Sequence, residues 1–417
     1  MMLRIEKGVL FYQKGEVIRK AGLFLLCTLL IMQPLHFSMV KVLVYYREMY
    51  AAMFAVLLCI ELLSKRKSLL SMRHEVFFLL LFLFVLIVAA LVDPCIPLYG
   101  AVNNQASEHL TSIDPRIYIL RNAIIYLPVL FYLSVRGFSK HDLKVVMMAC
   151  ALMAPISILH FLSSLKLADV LMVIELGGAG LQYNSYAPYL TYPFAASLCL
   201  FFVLKNKIIK YAFGLNCVFI FLYLIITTSR QSVLFAVICL IGFSIFVSSK
   251  YRARFLLVMG IIAVAGAFLV PLFLANYNVD AVILSKFGST EAFETSRFSI
   301  MRTGLNVMNP IDYVTGAGLS SVVTSGPHND YIRWTQRIGV FGMIIGFSPF
   351  LLAFIKALKL SSKKSSPYMI FLVVAIFYTL YHSLFGYPRE DAYQSLYCFL
   401  GLASWLACTQ PSFAEDR

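Results

Sequence analysis

The chain has 417 residues, of which 60% are hydrophobic and 13% charged, and it carries a net charge of +15. A soluble globular domain holds about 25% charged residues, so this composition excludes one and points to a protein that lives in lipid. The basic surplus suggests a nucleic-acid partner until its distribution along the chain is counted.

In chain order, residues 1–20 carry Arg4, Lys7, Lys14, Arg19 and Lys20 ahead of the first apolar run. No small-residue cleavage site follows, so that run reads as a retained helix and not as a removed signal. Apolar runs of about 20 residues, each able to cross a ~30 Å hydrocarbon core as a helix, are predicted at 21–39, 42–62, 75–92, 117–135, 143–162, 186–204, 211–228, 232–249, 255–274, 338–358, 368–385 and 392–408. They predict an all-α integral membrane protein of about 12 transmembrane helices, forming one membrane domain over residues 1–417.

Three connecting segments on one side are long: 93–116, 163–185 and 275–337. The first opens Asp93-Pro-Cys-Ile-Pro97, a run of turn formers. The second leads through Gln182-Tyr-Asn-Ser185 into a run containing Pro188 and Pro193, which should kink the sixth helix and free carbonyls suited to a cavity. The third, between spans 9 and 10, should contain a short helix. Thr295-Ser296 would cap it, Phe298, Met301, Leu305 and Met308 form an apolar stripe expected to lie on the membrane surface, and Asn309-Pro310 end it.

With the N-terminus inside, 23 of the 35 Lys and Arg residues fall on the predicted cytoplasmic side. Each short inner loop is more basic than its outer neighbours, the positive-inside pattern. The charge is topological, and a nucleic-acid partner is excluded. Eight of the nine cysteines sit in predicted spans and only Cys95 in an outer loop, which leaves no disulfide framework and no zinc spacing.

The twenty carboxylates lie in loops or at helix ends. A proton-coupled carrier usually needs an intramembrane carboxylate or lysine, so their placement counts against one. The sequence holds no nucleotide-binding glycine loop, nucleophile elbow, zinc motif or Asp-x-Asp pair, which leaves metal-independent chemistry and no cofactor. Arg230, in the short outer turn Thr227-Thr-Ser-Arg-Gln231, reads either as an interfacial arginine snorkelling to water or as a fixed guanidinium gripping phosphate oxygens. Arg297 and Arg302 allow the same two readings. Arg389 reads as an ordinary loop charge. His328 follows Gly326-Pro327 at the entrance to the tenth span. It is either an unremarkable loop histidine or a pre-positioned general base, an effect of about 10²–10⁴ in rate.

Together these residues resemble the bacterial O-antigen polymerase and O-antigen ligase family, GT-C-class glycosyltransferases that use undecaprenyl-pyrophosphate-linked sugars. The resemblance rests on Thr228-Ser-Arg-Gln-Ser232, on Ser296-Arg-Phe-Ser-Ile-Met-Arg302 with Gly316-Ala-Gly318, and on Pro327-His-Asn-Asp-Tyr331 followed by Gly339-Val-Phe-Gly342. Tyr183-Asn-Ser-Tyr-Ala187 is a looser match. The resemblance implies inverting glycosyl transfer at the periplasmic face of the bacterial inner membrane, with both termini cytoplasmic and 275–337 as the periplasmic loop bearing the site. Arg230, Arg297 and His328 would be catalytic. Arg302, Asn329, Tyr331, Asn184, Gly316 and Gly318 would bind substrate. The implied partners are lipid-linked oligosaccharide donor and acceptor, membrane lipid and a chain-length regulator protein. The 31 positions from Arg297 to His328 make a compact loop that favours a polymerase. A ligase acting on lipid A–core and a flippase of lipid-linked sugars are the alternatives.

Overall fold

A computed structural model describes residues 2–35, 46–65, 74–93, 115–164, 181–226, 229–246, 299–306, 308–319, 329–363, 366–386, 388–389 and 394–408, with isolated positions between 253 and 264. The helices, in order, are α1 Met2–Leu35, α2 Tyr46–Lys65, α3 His74–Val92, α4 Pro115–Ile124, α5 Leu127–Arg136, α6 Lys140–Ser164 and α7 Leu181–Val203. They continue as α8 Lys207–Ile226, α9 Arg230–Phe246, α10 Ser299–Asn306, α11 Pro310–Thr315, α12 Asp330–Lys363, α13 Pro367–His382 and α14 Gln394–Cys408. The described residues form an all-α fold, and five segments are long and apolar enough to cross a membrane: His74–Val92, Ile119–Arg136, Lys140–Ile158, Lys207–Ile225 and Asp330–Ser362. This is consistent with an all-α membrane protein. The predicted ninth span, 255–274, lies largely outside the described residues.

The basic N-terminal segment forms the first half of α1, where Glu16 pairs with Arg19 at 3.7 Å and with Lys20 at 3.1 Å along one helix face. The predicted span 117–135 is split into α4 and α5 at Ile125-Tyr126. Pro128 lacks an N–H for the Ile124 carbonyl, which stops the helix ladder at that point. Of the predicted apolar stripe, Met308 is buried and Met301 and Leu305 are half-buried, while Phe298 lies outside the described residues. The large apolar residues left exposed there are Ile311 and Val314 of α11.

Burial follows the distribution of apolar side chains around each helix. Every residue of α14 is buried, as expected of a helix apolar on all sides. It packs on α13 and α5, while α13 also meets α12, α7 and α9. Along α13 and α14 the approach is close at Gly401, where a Cβ would overlap the Ala375 carbonyl. By contrast α3 buries one stripe, Val76, Leu79, Phe82 and Leu86, and exposes Phe77, Leu80, Phe84, Ile87 and Leu91.

Ion pairs collect at the two ends of the bundle. At one end, called here the Arg136 end, Arg136 pairs with Glu61 at 3.1 Å, Lys356 with Glu75 at 2.7 Å and Arg19 with Asp142 at 3.3 Å. The carboxylates of Glu61, Glu75 and Asp142 are almost fully buried, so each is neutralised where it leaves water. The opposite end gathers the start of α12, the end of α13 and the start of α9, and is called the Asp330 end.

Replacing Gly401 by alanine should push α13 and α14 apart and lower stability by about 1–3 kcal/mol. The melting temperature of the detergent-purified protein checks this; an unchanged value would contradict the close helix approach.

Candidate functional site

At the Asp330 end the first turn of α12 is fastened to the far end of α13. Asn329 caps α12: the Ile332 N–H donates to its Oδ1 at 3.1 Å, and its Nδ2 donates to the Leu384 carbonyl at 3.2 Å. Asp330 donates its N–H to the Ser383 carbonyl at 2.8 Å. Its Oδ2 accepts from the Ser383 hydroxyl at 3.4 Å and from the Arg389 N–H at 3.3 Å. The Tyr331 hydroxyl donates to the Leu380 carbonyl at 2.9 Å, and its ring lies 4.3 Å from that of Phe347. One residue along α13, the Tyr381 hydroxyl donates to the Gln231 carbonyl at 2.8 Å, tying the first turn of α9 to the same place.

The opposite face of the α12 start carries α10 and α11. Gln336 Nε2 donates to the Gly304 carbonyl at 2.6 Å, and the Ala317 N–H donates to the Gln336 carbonyl at 2.7 Å. This docking requires two backbone features. Gly316, at φ 81°, lies where a side chain would strike the Arg337 main chain. Gly339, at φ 73° and ψ 171°, breaks α12 and lies against the Val314 carbonyl, where a Cβ could not fit. The Asp330–Ile338 segment is therefore a short helix set off from the longer apolar one, with loops bound on two sides.

Two arginines are enclosed here. Arg389 is 1% exposed, with its guanidinium carbon 4.5 Å from the Phe82 ring centroid, 4.9 Å from Phe347, 5.3 Å from Trp334 and 5.6 Å from Phe350. Its Nη1 donates to the Gly346 carbonyl at 3.2 Å. Arg337, equally buried, stands 5.6 Å from the Trp334 ring. A desolvated cation over an aromatic face gains about 2 kcal/mol, so the rings replace much of the lost hydration. Arg389 is thus a buried staple joining α3, α12 and the segment after α13, and not the ordinary loop charge its sequence setting suggests. No local periodicity marks such a residue, because its cage comes from segments far apart in the chain.

The other described candidates lie on α7, α9, α10 and α12 and in the turn after α11. Arg302 is exposed on α10. Arg230 is the first residue of α9, one position before the Gln231 carbonyl held by Tyr381. Asn329 and Tyr331 use their polar atoms to bind the α13 end. Gly316 and Gly318, at φ 81° and 113°, form the turn after α11. Asn184 lies in the first turn of α7; Pro188 cannot donate to its carbonyl, and Pro193 cannot donate to that of Tyr189. Between α7 and α13, Thr191 Oγ1 and His382 Nε2 are 3.0 Å apart in the buried interior. His328 and Arg297 lie outside the described residues, next to Asn329 and close before α10 respectively. The chain matches no protein-family model and no curated protein.

The structure brings the neighbours of Arg230, His328 and Arg302 to one end through Tyr381, Asp330 and Gln336. Chemically, that end offers cationic side chains, a helix start at α9 and freed carbonyls on α7, a set suited to an anionic ligand bearing hydroxyl groups.

Removing the Arg389 side chain as Arg389→Ala should loosen the segment after α13 from α3 and α12, because it empties an aromatic cage and leaves the Gly346 carbonyl without that donor. A loss of about 3–5 kcal/mol is expected, as for breaking a buried charged contact. Limited proteolysis should then cut residues 384–390 faster than in the unaltered protein; an unchanged cleavage rate would refute the staple.

Proposed function

We propose that the protein is an O-antigen polymerase, joining undecaprenyl-pyrophosphate-linked repeat units by metal-independent inverting glycosyl transfer at the periplasmic face of a bacterial inner membrane. The observation that carries this reading is the pair of adjacent anchors on α13. Leu380 holds Tyr331, three residues after His328, and Tyr381 holds Gln231, next to Arg230. Segments 97 or more positions apart in sequence, flanking the candidate base and the candidate phosphate-binding cation, are thereby fixed to one helical turn.

Orientation follows from charge. The Arg136 end carries Lys140, Lys144, Lys205, Lys207, Lys359 and Lys363 in addition to its ion pairs. The positive-inside rule makes that end cytoplasmic, and the Asp330 end then faces the periplasm.

In the proposed reaction, the acceptor sugar hydroxyl attacks the anomeric carbon of the donor while His328 takes its proton. The new C–O bond forms as the bond to the diphosphate breaks, and the diphosphate leaves with the electron pair, inverting the anomeric configuration. Arg230 and Arg297 stabilise the charge that develops on the leaving group. A single well-placed donor of this type is worth about 3 kcal/mol. Arg302 contributes field at the rim, where solvent screening makes it weaker.

The test is the lipopolysaccharide ladder of a strain lacking the protein, complemented with variants. A single-repeat band in the deletion strain, unrelieved by Arg230→Ala or His328→Ala, supports the polymerase. Bare core with lipid-linked polymer accumulating would instead identify a ligase, and loss of all periplasmic repeat units a flippase. Normal long chains from both variants would refute the site. Addition of a chelator should leave reconstituted activity unchanged.

A further inference from the structure

Helix α11, at the Asp330 end, has two unlike faces. Its inner face is bound to protein: the Tyr313 hydroxyl donates to the Leu305 carbonyl of α10 at 2.7 Å, and Gly316, just past the helix, lies on the Arg337 main chain of α12. Its outer face carries Ile311 and Val314, one turn apart and 69% and 50% exposed. The polar side chains of the helix are satisfied locally. The Thr315 hydroxyl, which shares the outer face, donates to the Ile311 carbonyl at 3.1 Å. The Asp312 carboxylate accepts from the Asn309 N–H at 3.2 Å and from its side-chain amide at 3.1 Å. Groups already bonded within the helix give up few water contacts when that face leaves water.

The height of α11 is set by α12. The Val314 carbonyl lies against Gly339, so the backbone of α11 sits at the break in that helix. From Gly339 the long part of α12 runs 20 positions to Lys359 at the Arg136 end, a rise of about 30 Å. That is the ~30 Å thickness of a hydrocarbon core. With Lys359 at one boundary of the core, Gly339 and α11 lie at the other. Along the same length α12 exposes Phe341, Ile344, Leu351 and Ile355 as a helical stripe that begins two positions after Gly339. Single exposed apolar residues on a water-facing loop are ordinary. Here a pair of them stands at the height where the lipid-facing stripe of a spanning helix starts.

We propose that α11 inserts Ile311 and Val314 into the acyl chains just beneath the headgroups of the leaflet at the Asp330 end. Interfacial helices bind this way, with the apolar face about 5–10 Å into the boundary. Because Tyr313 ties α10 to α11, the insertion also keeps the exposed Arg302 close to the headgroup layer. The lipid contact does not depend on the polymerase reading.

The test adds one tryptophan to the outer face, as Ile311→Trp, in the full chain reconstituted into phosphatidylcholine nanodiscs. The two native tryptophans, Trp334 and Trp405, are buried, and the emission of the unaltered protein is subtracted. Lipid brominated on carbons near the headgroup should quench most of the added emission, and aqueous iodide should leave it unchanged. Quenching by iodide and not by brominated lipid would put α11 in water and overturn the proposal. Quenching by neither would mean that protein covers this face, a second copy of the chain included, and would overturn it equally. Quenching only by lipid brominated near the chain end would place α11 in the bilayer interior and overturn the boundary position. Val314→Trp serves the same comparison if Ile311→Trp yields no folded protein.

Discussion

The Asp330 carboxylate sits at 0% exposure where α12 begins, and most of the candidate site is organised around what it accepts. Two donors to it, the Ser383 hydroxyl and the Arg389 N–H, belong to the segment that follows α13. A buried carboxylate is tolerated only with such partners. The bonds from Asn329 and Tyr331 to Leu384 and Leu380 extend the same fastening over three consecutive residues. The chain is therefore held between α12 and α13 at Asn329, one position after His328.

That anchor would be of little use if α12 ran straight. The break at Gly339 lets Asp330–Ile338 leave the axis of the long apolar helix, and α11 fills the space at the break. Gln336, three positions before that break, then reaches the Gly304 carbonyl of α10. The α10 helix, which carries Arg302, is thus attached to the Asp330–Ile338 helix from the other side. Pre-organisation of this kind matters for glycosyl transfer, because fixed dipoles and cations stabilise a departing diphosphate without reorganising during the reaction.

Much of this was legible in the amino-acid order, and the part that was not has a physical explanation. Apolar runs foretold helices because lipid demands that each segment satisfy its own backbone; a run such as Phe77–Val92, apolar throughout, permits little else. The prolines at 188 and 193 announced freed carbonyls, whereas Gly339 lay inside the predicted span 338–358, where its left-handed break was hidden by the apolar run around it. The interruption at Ile125-Tyr126 was signalled by Pro128 and overridden by the hydropathy of its surroundings. Arg389 was beyond reach, since burial of an arginine is decided by distant partners, here rings from Phe82, Trp334, Phe347 and Phe350.

The proposed polymerase site requires Arg230, Arg297 and His328, separated in sequence, to share one end of the bundle. Thiol cross-linking tests it most directly, using single cysteines at 230 and 328, and at 297 and 328, in a background without the native cysteines. Efficient cross-links by short bifunctional reagents are expected for both pairs, with yields reduced when Asp330→Ala unfastens the α12 start. Cross-links formed only by long reagents, or none at either pair, would contradict the shared site.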